Sequence, residues 1–82
     1  MKHIFIENAS YLNDLSVRLN FNDGTVRDIN FARFLKTRPH PMHNKYIKYS
    51  NFKKFRIQDG NIVWGNNALE FDMWNLYKGI NP

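Results

Sequence analysis

The chain has 82 residues, 43% of them hydrophobic and 16% aromatic, which makes one domain and is too rich in core formers for a disordered segment. It has no cysteine, which removes disulfides and thiolate metal sites and leans towards a cytoplasmic protein. The net charge of +5 is uneven: eight of the twelve Lys/Arg fall between Arg33 and Arg56, where no Asp or Glu occurs, leaving four against all seven acids elsewhere.

In chain order, Lys2 to Ala9 reads as a first strand, with Ile4 and Ile6 on one face and Phe5 on the other. Its apolar run, Ile4-Phe5-Ile6, is too short for a signal-peptide core or a membrane span. Asn8 to Asp14 is poor in strand formers and is expected to turn the chain. Leu15, Val17, Leu19 and Phe21 then alternate strictly with Ser16, Arg18 and Asn20, the pattern of a strand with one wet face. Asn22-Asp23-Gly24 supplies a hairpin turn, and Thr25 to Phe31 a return strand. Val26 and Ile29 have opposite parity there, which leaves two readings open: burial on both faces, or a bulge.

From Phe31 the period changes. Phe31, Phe34 and Leu35 suit a short helix ended by Pro39 and Pro41, with a stiff, exposed Arg38-Pro39-His40-Pro41 loop after it. Asn44 to Lys54 is expected to form a second helix, capped by Asn44, with Tyr46, Tyr49 and Phe52 on one stripe and its lysines on or beside the wet side. Phe52 to Trp64 reads as a closing hairpin around Asp59-Gly60 that completes the sheet. Gly65-Asn66-Asn67 turns the chain, Ala68 to Phe71 adds a short extended piece, and Asp72 caps a last helical turn over the sheet. Segregated strands and helices joined by hairpins argue for a single α+β domain over residues 1–82. Its sheet is mostly antiparallel, with about three N-terminal strands, a helical middle, the closing hairpin and a short C-terminal helical turn.

These features also resemble the small bacterial family known as domain of unknown function 2442. The resemblance rests on Phe21-Asn22-Asp23-Gly24, Asp28-Ile29, Phe52 or Phe55, Trp64-Gly65-Asn66 and Leu76-Tyr77, in that order, and covers nearly the whole chain. It departs from the family at Gly65, where a proline commonly follows the tryptophan, and in the strongly basic middle. Some members of the family carry an appended helix-turn-helix domain, which this chain is too short to include. Others occur beside a second small protein in what look like toxin–antitoxin pairs, which implies a protein partner. The resemblance implies no catalytic activity.

The residues themselves argue against an enzyme. His40 and His43 form an H-x-x-H in a loop with no cysteine to complete a metal site, so exposed loop histidines are the expectation and no metal or cofactor is assigned. The acids are mostly turn and cap residues, Asp28 and Glu70 being the two worth inspecting, and the glycines are isolated, so no phosphate loop exists. Two surfaces remain. Lys45, Lys48, Lys53, Lys54 and Arg56 form a candidate surface for an anionic partner, an acidic protein or, as the alternative, a nucleic acid read by phosphate contact. Trp74 is a candidate partner anchor if it faces solvent, although a core position ranks first for it. An open edge strand leaves a homodimer as a further option. The resulting expectation is a small, non-enzymatic, cytoplasmic interaction domain, protein-binding and a partner or neutralising half in a toxin–antitoxin-like pair.

Overall fold

The structure is a computed structural model that describes residues 3–37, 41–65 and 69–82. Arg38–His40, with the first histidine of the H-x-x-H pair, and Asn66 to Ala68 lie outside the described residues. His43 is described and, unlike the exposed loop histidine expected, sits half-buried in the short helix Pro41–Asn44 with its ring 5.7 Å from that of Phe34. Within them the chain forms an α+β domain with two antiparallel three-stranded sheets rather than one.

The first sheet has the order β1-β2-β3, with β1 at Ile6–Tyr11, β2 at Ser16–Phe21 and β3 at Val26–Asn30. Val17, Leu19 and Phe21 are buried and Arg18 is exposed, as the period of two requires. β1 runs further than expected. Asn8 and Ser10 are weak strand formers, but they lie on the wet face opposite Asn20 and Arg18, while Ala9 and Tyr11 face inward opposite Leu19 and Val17. Pairing to β2 therefore carries the strand past residues that would not form one alone, across a bulge between Ile6 and Asn8. The turn is displaced to Leu12–Leu15, and Asp14 and Leu15 take left-handed φ values of 46° and 61°. In β3 neither sequence reading of Val26 holds. The ladder from Asn20–Val26 to Ser16–Asn30 is continuous, and Val26 lies exposed on the wet face while Ile29 is buried.

Asn30 starts α1 (Ala32–Thr37) by accepting the Ala32 N–H through Oδ1 at 2.9 Å, and Leu35 turns into the core. The expected single helix over Asn44–Lys54 is instead three pieces: α2 (Pro41–Asn44), a 3-10 turn (Lys45–Ile47) and α3 (Tyr49–Phe52). Asn44 has helical φ and ψ and makes no cap hydrogen bond, and Lys48 is extended with ψ 125°. An α-helix turns about 100° per residue, so positions 46 and 52 on one unbroken helix would face about 120° apart. The break at Lys48 lets both Tyr46 and Phe52 reach the core and turns Tyr49 outward, 52% exposed, off the expected stripe. The Asn51 amide spans the break by donating to the Lys45 carbonyl at 2.9 Å.

The closing hairpin, β4 (Arg56–Gln58) and β5 (Asn61–Trp64), joins β6 (Leu69–Glu70) in the second sheet, order β4-β5-β6, instead of completing the first. Asp59 and Gly60, at φ 52° and 80°, make the tight turn the sequence predicts. That turn is also where the sheets meet. β1 lies against β4, and the Ile6 N–H donates to the Gly60 carbonyl at 2.7 Å.

One core serves both sheets. Val17, Leu19 and Ile29 come from the first, Ile62, Trp64 and Leu69 from the second, and Phe31, Leu35, Phe52 and Leu76 close it. Trp64 is fully buried, ringed by Phe31 and Phe52 at centroid distances of 5.2 and 5.3 Å, and its indole N–H donates to the Phe52 carbonyl at 2.7 Å. The last helix, α4 (Met73–Tyr77), is capped by Asp72, whose Oδ1 accepts the Trp74 N–H at 3.0 Å. It docks beside β3, where the Arg27 guanidinium donates to the Tyr77 carbonyl at 2.8 Å.

Candidate functional site

Lys45, Lys48, Lys53 and Lys54 all sit exposed on the broken helical segment. The lysine ammonium groups of residues 45 and 53 lie 5.2 and 5.0 Å from the ring centres of Tyr46 and Tyr49. None of the four is in an ion pair among the described residues. Arg56 stands apart from them chemically. It is exposed on β4, but its guanidinium donates to the Gly65 carbonyl and, at 3.0 Å, to Gln58 Oε1, so it is tied along its own hairpin.

Beside the lysines the structure places a groove of about 360 Å³. Tyr11, Asp14 and Leu15 form its wall from the first hairpin, Ala32 and Lys36 from α1, and Ile47 and Tyr49 from the middle segment. The Tyr11 and Tyr49 rings meet at 4.8 Å, and the edge of Tyr11 packs on Phe52 at 5.8 Å. Sequence reasoning missed this groove. Tyr11 was expected in a turn, and the extension of β1 is what brings it to Tyr49.

Trp74 is 48% exposed, against the expectation that ranked it as core. The reason is its position on α4: Leu76 takes the inward direction, and the Trp74 ring stands edge-on to Tyr77 at 5.7 Å with Ile80 exposed further along. The two acids singled out for inspection are unremarkable in place. Glu70 is exposed on β6. Asp28 accepts two bonds from Arg18 across the wet face, at 2.8 and 3.1 Å, which hold its carboxyl below the usual carboxylate range and raise the guanidinium. Among the described residues no three His, Asp or Glu side chains come together as metal ligands, and no helix is long and apolar enough to cross a membrane.

The residues that carry the family resemblance interlock. The Tyr77 ring stands edge-on to Phe21 at 5.1 Å while its hydroxyl donates to Asp23 at 2.5 Å, and Trp64 is bonded to Phe52. Fold and surface together define a small α+β domain in which Phe21, Ile29, Phe52, Trp64 and Leu76 of those motifs lie in the core. The chain belongs to the family described as "Protein of unknown function (DUF2442)", whose model matches residues 6–82. No curated protein and no solved structure matches it.

Proposed function

We propose that this domain is a non-enzymatic, cytoplasmic protein-binding module, and that its setting is the partner or neutralising half of a toxin–antitoxin-like pair, the role suggested by the family resemblance. The observation that carries the binding role is Trp74. A domain this small has every reason to bury its largest side chains, yet one of its two tryptophans stands half exposed with its ring against Tyr77. Exposed tryptophans with an apolar neighbour are the side chains that most often anchor protein interfaces.

The test is capture of binding proteins from the native host by the immobilised full chain, with and without nuclease, compared with Trp74→Ser. A specific protein that survives nuclease and is lost with the variant supports the module. Recovery of nothing specific, or of nuclease-sensitive material alone, overturns it. The second reading, a nucleic-acid-binding module using Lys45, Lys48, Lys53, Lys54 and Arg56, is favoured by the absence of ion pairs at the four lysines. It requires binding to RNA or DNA that weakens steeply with salt and falls on charge reversal of the lysines. Undetectable binding at low salt removes it.

A further inference from the structure

We infer that the groove between Tyr11, Lys36, Ile47 and Tyr49 is a docking site for an acidic, extended peptide segment of a protein partner, seating one of its apolar side chains. The inference rests on the reading of the domain as a protein-binding module and adds the chemistry of what it binds.

The volume of about 360 Å³ lies within the range of sites that hold small ligands, and the lining is mixed, with Leu15, Ala32, Ile47 and the two tyrosine rings beside Asp14, Asn30 and Lys36. Ile47 and Tyr49, both exposed, open onto it, and the half-buried Tyr11 backs it. The rim is cationic. Lys36 lines the groove, Lys53 reaches over the Tyr49 ring, and Lys45 and Lys48 flank the segment between them. Lys36 and Asp14 are the two charged side chains of the lining itself, and the Lys53 ammonium beside Tyr49 tips the balance towards cations around Ile47 and the tyrosine rings. That combination complements a hydrophobic side chain flanked by carboxylates.

The wall is also strained where it meets the groove. Asp14 and Leu15 hold left-handed φ values that non-glycine residues rarely take. The surrounding bonds hold the turn in place: Ser16 N–H to the Asn13 carbonyl at 2.8 Å, Leu12 N–H to the Ser16 carbonyl at 3.0 Å and the Asn30 amide to the Asp14 carbonyl at 3.3 Å. Backbone kept in such a conformation clusters at ligand clamps.

The geometry favours peptide over nucleic acid. A base would need an open ring face for stacking. The Tyr49 ring already has Tyr11 at 4.8 Å and the Lys53 ammonium at 5.0 Å, so stacking there would displace one of them.

The experiment is an amide chemical-shift titration of the full chain with three probes: a capped six-residue peptide with Leu-Phe between two pairs of glutamates, the same peptide with lysines in place of the glutamates, and an eight-residue thymidine oligonucleotide. The glutamate peptide is expected to shift Tyr11, Lys36, Ile47 and Tyr49. Lys36→Glu should weaken it about tenfold, and Tyr49→Ser at least as much. Both side chains are exposed, and the spectrum itself reports whether each variant is folded. Lys78→Glu changes the net charge identically and should leave the affinity unchanged. Three results overturn the inference: no shift at the groove, equal binding of the lysine peptide, or stronger binding of the oligonucleotide there. Failure of the groove alone is distinguishable from failure of the module. In the former case the captured host protein is lost with Trp74→Ser but retained by Tyr49→Ser; in the latter nothing specific is captured.

Discussion

A Cβ on Gly60 would sit 2.5 Å from the Cβ of Phe5, closer than any real pair of such atoms, and Gly60 also holds φ at 80°. Gly24, in the first hairpin, has φ 90° and open space around it. The two glycines therefore separate conformational cost from crowding. Gly24→Ala is expected to lose about 1 kcal/mol from the left-handed backbone alone. Gly60→Ala adds a steric term against Phe5, just before β1, that movement of the backbone there or of the turn must relieve, for a total of about 2–4 kcal/mol. Urea denaturation of both variants measures the difference. Equal losses would mean that the two sheets are not pinned together at Gly60. The Arg18–Asp28 pair gives a second expectation at this scale. Because the folded Asp28 carboxyl is held below its ordinary value, its contribution is present above that value and is lost as the pH falls through the folded one. Both side chains are about half exposed, so the effect is small and salt-sensitive. Asp28→Asn should flatten the acid limb of the stability curve slightly, and added salt should erase the difference. A variant that steepens that limb would contradict the pairing.

Among the elements, α4 depends most on single contacts. It spans five residues, too few to be helical alone, and is held by the Asp72 cap, by Leu76 in the core and by the Tyr77 bonds to Asp23 and Arg27. Asp72→Ala should cost about 1 kcal/mol and loosen the amides of Trp74 and Asn75 in hydrogen exchange before those of β2. If β2 loosens equally, the cap serves the whole fold and not α4. The same elements show what was legible in the sequence. β2 was readable because its alternation is complete in one segment, and the Asp59-Gly60 turn because its chemistry is local. The end of β1 was not, since Asn8 and Ser10 become strand through a partner 10 or so residues away. Nor was the break at Lys48, which exists so that Tyr46 and Phe52 can meet one core. The lysines of the candidate surface were visible as an acid-free run, a property of one stretch of chain. The groove beside them was hidden because Tyr11, Lys36 and Tyr49 come from three separate segments.

For the whole molecule, the question is whether two three-stranded sheets make one folding unit or two. A sheet of three short strands needs a covering layer to be stable, and neither sheet here has one of its own. The residues that cover the first, Phe31, Phe52 and Leu76, stand in the same cluster as Ile62, Trp64 and Leu69 of the second. Trp64 is the centre of that cluster, ringed by side chains from β5's own surroundings and from the chain following β3. Opening either sheet would uncover that shared cluster, and opening the second would also orphan the Trp64 bond to the Phe52 carbonyl, at a cost of several kcal/mol from a domain whose total stability is about 5–15 kcal/mol. Partial unfolding is therefore expected to be as costly as complete unfolding. With Trp74→Phe in place, indole fluorescence reports Trp64 alone while far-ultraviolet circular dichroism reports both sheets. The two signals should give one coincident transition in urea. If fluorescence is lost at a lower urea concentration than the circular dichroism, the second sheet opens first and the shared core is not the unit of stability.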